Sequence, residues 1–368
     1  MKIAVVSANS PSLFGIRSEL IQEFISRGHE VVAIGGGSEA DWENKAAEQG
    51  HGYRQFFVNR VGTNPLQDIA TLKSLERIFA EEKPDKIFTY HAKGNVYGSM
   101  AAHRACNADI YCLVAGLGSV FRDNADSFNP IRTIMSLVYK VALRYPKVVF
   151  FQNSDDLEVF SEMGIVDPQK TVIVNGSGVD IDRFPLSPLP DAPSFLFVGR
   201  LIKDKGIREF VEAARIIKSR YPEAQFNVLG GIDANPTSLT LDEVDEIAAE
   251  GAIVFHGEHS DVVPFYQENS VFVLPSYHEG TPRSALEALS VGRPVILTDA
   301  PGCRDVVTDG VNGLMIPVGN PDALADAMEK LILNPEMRAQ MGKKSRAIAE
   351  EKYDVRKVND MICTTMNL

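Results

Sequence analysis

The chain has 368 residues, 45% of them hydrophobic, which is more than one core usually organises and predicts two domains of ordinary size. It carries 49 acidic and 37 basic side chains, a net charge of −12. A nucleic-acid binder needs a basic face to neutralise phosphates, so this balance argues against that class, and any bound phosphate must be met by a local group of cations.

The cysteines show no C-x-x-C spacing and no partnering histidine cluster, which argues against a zinc site or a disulfide framework and is typical of a reducing compartment. They are Cys106, Cys112, Cys303 and Cys363. Met1 runs directly into a strand pattern without a charged leader, and no segment reaches the roughly 18 uninterrupted apolar residues of a membrane span. We therefore expect a cytoplasmic protein.

In the first half, short apolar runs bounded by turns alternate with helix-length segments, which predicts a parallel sheet whose strands are connected by helices. The predicted strands run from Ile3 to Ser7, Val31 to Gly35, Lys86 to Tyr90, Ile110 to Ala115, Val148 to Gln152 and Val172 to Asn175. They predict a doubly wound, Rossmann-like α/β domain.

The segment from Pro130 to Lys147 combines apolar bulk with the cations Arg132, Lys140, Arg144 and Lys147. This composition fits a crossover helix that covers the sheet, and it also fits a helix that lies on an anionic bilayer surface. We favour the packed helix, because such patterns are common in cores. Contact with the membrane stays open as the alternative.

The stretch from Phe184 to Pro193 holds four prolines in ten residues, which is incompatible with a helix or a central strand. We place the domain linker here. The predicted first domain covers residues 1–186 and the second covers residues 187–350. Residues 351–368 are predicted to form a C-terminal helix, which could cross back to the first domain.

The second half repeats the alternating plan and predicts a second sheet of the same kind. Its predicted strands run from Phe195 to Gly199, Phe226 to Gly230, Ile253 to His256, Val271 to Pro275, Val295 to Thr298 and Leu314 to Pro317. Ligands of open parallel sheets bind beyond the carboxyl ends of the strands, so residues that carry chemistry should follow strands.

The first of these strands leads Arg200 and Lys205 into a loop ahead of a helix. Two cations so placed can neutralise a diphosphate, Arg200 through its planar fork and Lys205 as a mobile point charge. Taken alone, the loop fits ordinary surface charges near Asp204 and Glu209 equally well.

Glu279 and Glu287 stand eight residues apart, directly after the strand that ends at Pro275. The spacing predicts a tight loop freed by Gly280 and a helix whose first turn is set by Pro282. Amide N–H groups at a helix start attract phosphate, and a carboxylate in the second turn can accept hydrogen bonds from hydroxyls. Both glutamates could be solvated helix-start residues. The loops after the first and fourth strands can meet at one rim of such a sheet, however, which favours a sugar-nucleotide site.

These stretches closely resemble the retaining glycosyltransferases of family 4, the group 1 glycosyl transferases with a GT-B fold. The resemblance rests on Gly199-Arg200 through Lys205-Gly206, Glu279-Gly280 through Glu287, Ala288 to Ile296 and Asp309 to Leu314. It covers nearly the whole chain and implies two facing Rossmann-like domains. In the first half, Lys93 to Ser99, Ala115 to Phe121 and Asn175 to Asp180 look like the subgroup that adds sugars during bacterial polysaccharide and glycan assembly.

The resemblance implies a role for each matching residue of the second domain. Arg200 and Lys205 would hold the donor diphosphate and stabilise the departing nucleotide. Glu287 would bind the ribose hydroxyls, and Glu279 would contact the donor sugar. The remaining implied donor contacts are Gly199, the amides of Gly280 and Thr281, and Gly257 and Glu258 near the nucleobase.

The first domain departs from the broader family in two loops. Many relatives carry a Gly-Gly pair in the first loop, whereas this chain has only Gly15 before a helix predicted to begin near Ile16, whose amides can still face the donor anion. Relatives often place a histidine where this chain has Gly116, which puts a histidine-assisted mechanism in doubt. His91 could substitute, and Lys93 and Asn95 are further acceptor-side candidates.

The sequence therefore predicts a retaining, metal-independent hexosyltransferase without a cofactor. The donor would be a nucleotide sugar, most naturally UDP-linked, and the acceptor a saccharide or a polyprenyl diphosphate at the cytoplasmic membrane face. A nucleotide-sugar epimerase of the same architecture and a non-catalytic sugar-binding protein are the alternatives. An epimerase needs no acceptor, and a binding protein has no use for two cations beside a helix start.

Overall fold

The computed structural model describes residues 1–59, 64–118, 121 and 129–368. Contacts divide the chain into two compact units. Unit 1 comprises residues 1–177 together with 358–368, and unit 2 comprises residues 178–357.

Unit 1 is built on a parallel sheet with the strand order β3-β2-β1-β4-β5-β6-β7. Its strands are β1 Lys2–Ser7, β2 Glu30–Gly35, β3 Gly52–Gln55, β4 Lys86–Tyr90, β5 Asp109–Val114, β6 Val148–Phe151 and β7 Thr171–Ile173. Because β1 pairs with both β2 and β4, the strand order reverses between β1 and β4, and this is the switch point of the first sheet.

Helices cover both faces of this sheet. They are α1 Ser10–Leu13, α2 Ser18–Ser26, α3 Glu39–Glu48, α4 Pro65–Glu82, α5 Ala92–Ala105, α6 Pro130–Ala142 and α7 Ser154–Glu162. Ala4 and Val6 of β1 belong to one buried cluster, and Ile3 and Val5 belong to another, as the alternation of side chains along a strand requires. None of the helices in the described ranges has the length and apolar composition needed to cross a bilayer.

Unit 2 repeats the plan with the parallel strand order β10-β9-β8-β11-β12-β13. Its strands are β8 Ser194–Val198, β9 Gln225–Leu229, β10 Val254–Gly257, β11 Val271–Leu274, β12 Val295–Thr298 and β13 Gly313–Ile316. Its helices are α8 Ile207–Arg220, α9 Leu241–Ala249, α10 Val263–Glu268, α11 Arg283–Val291, α12 Pro321–Leu333 and α13 Pro335–Ile348. The last helix, α14 Val355–Thr365, begins in unit 2 and continues into unit 1. The prediction of two doubly wound α/β sheets is confirmed, and the switch point of the second lies between β8 and β11.

Three local expectations differ from the structure. Strand β3 was not predicted, because Gly52–Gln55 is a short edge strand in which only Tyr53 is buried. A helix near Ile16 is replaced by the short α1 and by α2, which begins at Ser18. Pro282 is the N-cap of α11 instead of a residue in its first turn.

The contact division at Ser177 lies before the predicted boundary at residue 186. The intervening segment is bonded to unit 2, because Arg346 Nη1 donates to the carbonyl oxygens of Ile181 and Phe184. The buried guanidinium of Arg293 donates to the carbonyl oxygens of Ser187, Pro188 and Tyr266, so the proline-rich stretch is also anchored to the second core.

Candidate active site

The loops that follow β8 and β11 meet at the switch point of the second sheet. Tyr277 N donates to the carbonyl oxygen of Asp204 at 2.9 Å. Gly206, at the start of α8, has φ +71°, and a Cβ there would lie 2.1 Å from the carbonyl oxygen of Pro275. Glycine is therefore required for the loops to approach this closely.

This approach brings together two residues that are 74 positions apart. Lys205 Nζ lies 2.5 Å from Glu279 Oε1, and both side chains are largely buried. Ser276 Oγ donates to the same carboxylate oxygen at 2.7 Å. A charged pair held by a third donor in a partly desolvated site has a defined geometry, as a binding site for polar ligands requires.

A second contact fixes the backbone that carries Glu279. Glu279 N donates to the carbonyl oxygen of Pro301 at 3.0 Å. Gly302 has φ +75°, and a Cβ there would lie 2.4 Å from the carbonyl oxygens of both Glu279 and Gly280. The turn at residues 301–302 thus supports the loop between β11 and α11, where Gly280 and Thr281 lie directly ahead of the helix start.

Glu287 lies in the second turn of α11, and its side chain is 12% exposed. Tyr266 Oη donates to Oε2 at 2.9 Å, and Arg283 Nε donates to Oε1 at 3.2 Å. Burial raises the pKa of Glu287 above the usual glutamate value, although Arg283 and Tyr266 act in the opposite direction. This carboxyl group acts as an acceptor through both oxygens, with no donor, only if it stays ionised.

Arg200 pairs with a different carboxylate from the one that Lys205 contacts. Its Nη1 lies 3.1 Å from Asp233 Oδ2, and 56% of its side chain is exposed. A backbone N–H from Asn235, together with Arg200, holds the pKa of Asp233 below its usual value. Arg200 therefore extends from the end of β8 as an exposed cation with one acidic partner beside it.

Glycines hold the ends of β8, β9 and β10 close to one another. A Cβ on Gly230 would lie 1.9 Å from the carbonyl oxygen of Gly199, and Gly230 N donates to the carbonyl oxygen of Gly257 at 2.8 Å. The Glu258 side chain lies over Gly231, where a Cβ would come within 2.6 Å of Oε1. The predicted donor residues Gly199, Gly257 and Glu258 thus follow neighbouring strands of one sheet.

Three of the residues predicted to contribute from unit 1 are His91, Gly15 and Gly116, and they lie in the loops of the first sheet. His91 follows β4 with φ +64°, a strained value for a residue with a side chain, and its Nδ1 lies 3.0 Å from Ser7 Oγ. Gly15 lies between α1 and α2, and Gly116 follows β5 with φ +114°.

Asn95 and Lys93 both have polar partners within unit 1. The buried Asn95 amide accepts from Thr89 Oγ1 at 2.7 Å and donates to the carbonyl oxygen of Leu113 at 2.8 Å, so it links β4 to β5 inside the core. Lys93 Nζ pairs with Asp68 at 2.9 Å, and both side chains are mostly buried. The geometry argues against Asn95 as an acceptor contact and gives Lys93 a structural partner.

Sequence reasoning missed Ser276, Tyr266, Arg283 and Gly302, which support the two glutamates. The contact of Arg283 could have been predicted from the sequence, because a cation four residues before Glu287 on a helix lies on the same face. Pro301-Gly302 is a turn signal, but nothing in it indicates contact with Glu279. Tyr266 is buried on another helix, so only the tertiary structure reveals its bond.

Residues 179–348 match the family model described as glycosyl transferases group 1. The chain is 26% identical over 357 residues to N,N'-diacetylbacillosaminyl-diphospho-undecaprenol alpha-1,3-N-acetylgalactosaminyltransferase of Campylobacter jejuni, covering 93% of this chain and 92% of that protein. It is 27% identical over 357 residues to UDP-Gal:alpha-D-GlcNAc-diphosphoundecaprenol alpha-1,3-galactosyltransferase of Escherichia coli, covering 90% of this chain and 88% of that protein.

Among solved structures, HepE of Anabaena in complex with UDP matches with a TM-score of 0.80 and 18% identity, covering 100% of both chains. The apo form of the lipopolysaccharide outer core galactosyltransferase WaaB matches with a TM-score of 0.72 and 20% identity, covering 100% of this chain and 99% of that one. These likenesses show the fold. The chain therefore has the GT-B fold, and its second unit matches the family model of the glycosyl transferases group 1.

Proposed function

We propose that the protein is a retaining hexosyltransferase that moves a hexose or N-acetylhexosamine from a UDP-linked donor to a saccharide or polyprenyl-diphosphate-linked acceptor in bacterial surface polysaccharide or glycan assembly. The observation that carries this proposal is the Lys205–Glu279 pair, held by Ser276 at the switch point of the second sheet. Relatives named for undecaprenol-diphosphate acceptors support the choice of acceptor class.

Lys205 and Arg200 bind the donor diphosphate in this proposal. Each has a carboxylate partner in the structure, Glu279 for Lys205 and Asp233 for Arg200. An ammonium group has three N–H donors and a guanidinium has five, so both keep donors for phosphate oxygens after these pairs have formed. The proposal therefore does not require either pair to break.

The two glutamates bind the hydroxyls of the donor. Glu287 accepts hydrogen bonds from the ribose, which requires the ionised carboxylate, and its bonds to Tyr266 and Arg283 fix its orientation. Glu279 accepts from hydroxyls of the transferred sugar and so positions the anomeric carbon. A hydrogen bond to a charged group is stronger than one between neutral groups, which makes these contacts suitable for discriminating sugars.

The transfer replaces one bond to the anomeric carbon by another on the same face. The acceptor hydroxyl oxygen forms the new bond, the bond to the diphosphate oxygen breaks, and the hydroxyl proton passes to the departing phosphate. Arg200 and Lys205 stabilise the negative charge that develops on the diphosphate. Since two side-chain cations supply this charge, the reaction is proposed to be independent of a metal ion.

The test is acceptor-dependent turnover of UDP-sugars by the wild type, Glu279→Ala and Arg200→Ala, each with and without EDTA. We expect transfer only with acceptor and no loss on adding EDTA. Arg200→Ala should lose roughly 10²-fold in kcat/KM, since removing one charge-stabilising group typically costs that much. Glu279→Ala should lose roughly tenfold or more, since a hydrogen bond to a charged group contributes about 1.5–3 kcal/mol.

Arg215 and Glu250 provide matched controls, because they form an exposed ion pair elsewhere in unit 2. Arg215→Ala and Glu250→Ala should retain wild-type turnover. Full activity in both Glu279→Ala and Arg200→Ala contradicts the assignment of the site, and conversion of the donor without any acceptor favours an epimerase.

A further inference from the structure

The loop that follows β9, residues 230–240, is folded against the loop that follows β8. Leu201 N donates to the carbonyl oxygen of Gly231 at 3.1 Å, and Leu239 N donates to the carbonyl oxygen of Leu201 at 2.7 Å. Both leucines are buried, so water does not compete for these bonds. The two loops therefore hold each other in place, and the first of them carries Arg200.

The loop after β9 also fixes the position of Asp233. Asn235 N donates to Asp233 Oδ1 at 2.8 Å, and Asp233 N donates to Ser238 Oγ at 3.0 Å. The Ser238 hydroxyl in turn donates to the carbonyl oxygen of Leu201 at 3.2 Å. The backbone of Asp233 and one of its carboxylate oxygens are thus set by bonds that do not involve Arg200.

The second carboxylate oxygen of Asp233 contacts Arg200. Oδ2 accepts from Arg200 Nη1 at 3.1 Å, and the side chains are 27% and 56% exposed. The N–H of Asn235 and the Arg200 charge lower the pKa of Asp233, so this partner stays ionised at neutral pH. One oxygen holds the loop and the other holds the guanidinium.

Two effects of this carboxylate on a diphosphate at Arg200 have opposite signs. An exposed arginine has many rotamers, and fixing them costs free energy when a ligand binds, so a partner that selects one conformation in advance favours binding. A negative charge close to a diphosphate disfavours binding by repulsion. The response of affinity to the loss of this charge shows which effect is larger.

We propose that Asp233 is a positioning residue, which acts through Arg200 by selecting the guanidinium conformation that binds the donor diphosphate. The inference rests on the proposed function, in which Arg200 binds that group. The bond to Asp233 uses one of the five N–H donors of the guanidinium, so the others remain for phosphate oxygens. Asp233 itself contacts no atom of the donor.

Asp233→Asn separates the two carboxylate oxygens without changing the shape of the side chain. The amide oxygen keeps the bond from Asn235 N, so the loop is retained, whereas the amide NH₂ group then faces Arg200 and cannot accept from it. Calorimetric titration of the full chain with UDP measures the effect. We expect affinity to fall roughly two- to tenfold, the cost of immobilising one side chain with many rotamers.

A double-mutant cycle with Arg200→Ala tests whether Asp233 acts through Arg200. Arg200→Ala should weaken UDP binding roughly tenfold or more. Adding Asp233→Asn to that variant should change the affinity no further, because the residue that Asp233 orients has been removed. A purely structural role of Asp233 in the loop would weaken binding in both backgrounds.

Glu329→Gln is the matched control. Glu329 pairs with Arg220 at 3.3 Å, and their side chains are 28% and 50% exposed, close to the values for Asp233 and Arg200. Arg220 is the last residue of α8, whereas Arg200 precedes the start of that helix. Glu329→Gln should therefore bind UDP like the wild type, and circular dichroism should show the same fold in every variant.

Each contrary result has a distinct meaning. Unchanged or tighter binding by Asp233→Asn, together with weaker binding by Arg200→Ala, overturns the inference and leaves Arg200 in the site. An equal loss from Asp233→Asn in the presence and absence of Arg200 assigns Asp233 to loop stability and also overturns it. Equal affinity of wild type and Arg200→Ala overturns the proposed role of Arg200 and the inference with it.

Discussion

At the scale of single residues, Glu287 combines burial with a role that requires charge. Its pKa is raised, so the folded protein holds this proton more tightly than the unfolded chain does. Ionisation of Glu287 therefore lowers the free energy of unfolding as pH rises from the usual glutamate pKa to the folded pKa, and the full loss persists above that range.

Glu287→Gln removes this ionisation. We predict that the free energy of unfolding of the variant, relative to wild type, rises as pH increases above the usual glutamate pKa of about 4. Urea unfolding at several pH values measures it. Glu250→Gln is a control of opposite sign at lower pH, because Arg215 lowers the pKa of Glu250 and the wild type gains stability from that charge as pH rises to the usual glutamate pKa. A difference for Glu287→Gln that does not change with pH contradicts the prediction.

Ser276 positions Glu279 through a hydrogen bond to Oε1, the oxygen that also contacts Lys205. Ser276→Ala should lower kcat/KM by about tenfold, because a hydrogen bond to a charged group contributes roughly 1.5–3 kcal/mol. Steady-state kinetics measures it. Ser290→Ala is the control, since the buried Ser290 hydroxyl donates to the carbonyl oxygen of Phe184 and should affect stability alone. Equal kinetic losses in the two variants contradict a positioning role.

The site could be predicted from sequence to the extent that its residues follow strands. Lys205, Glu279 and Glu287 do so, and their approximate meeting place follows from the rule for open parallel sheets. The bond from Tyr266 to Glu287 depends on how α10 packs on α11, which local patterns do not determine. The surroundings of Asn95 could not be predicted for the same reason, because its partner Leu113 comes from a neighbouring strand.

At the scale of elements, the turn at residues 301–302 supports the loop that carries Glu279. Gly302→Ala places a Cβ against two backbone oxygens, which cannot move aside as a flexible side chain does. We therefore predict that the loop shifts and that donor affinity falls by roughly tenfold or more. Calorimetric titration with UDP measures this affinity.

Gly310→Ala is the matched control, because Gly310 has nearly the same positive φ, +74°, and open space where a Cβ would lie. Both variants carry backbone strain of about 1 kcal/mol and should lose similar stability from that source. Only Gly302→Ala should lose donor affinity. An equal affinity in both variants would show that the turn does not support the site.

Strand periodicity predicted every strand of the second sheet, since each contains a short apolar run, although β10 has no fully buried residue. It missed β3, whose Gly52–Gln55 sequence has one buried side chain and lies at a sheet edge. Edge strands carry less of the apolar signal from which such predictions are made.

At the scale of the whole molecule, the two sheets share one plan, with the same reversal of strand order after the first three strands of each. The limits of the units were harder to predict than their sheets. Proline content indicated a linker at residues 184–193, whereas Arg293 bonds part of that stretch to the second core. A contact between residues about a hundred positions apart leaves no local sequence signal.

The central claim is that the switch point of the second unit holds a nucleotide diphosphate through Lys205. Calorimetric titration of UDP into wild type, Lys205→Met and Lys330→Met tests it most directly, because Lys330 is an exposed lysine on α12 of the same unit. The account predicts that wild type and Lys330→Met bind UDP with the same affinity and that Lys205→Met binds it roughly tenfold or more weakly. Equal affinity in all three proteins would contradict the account.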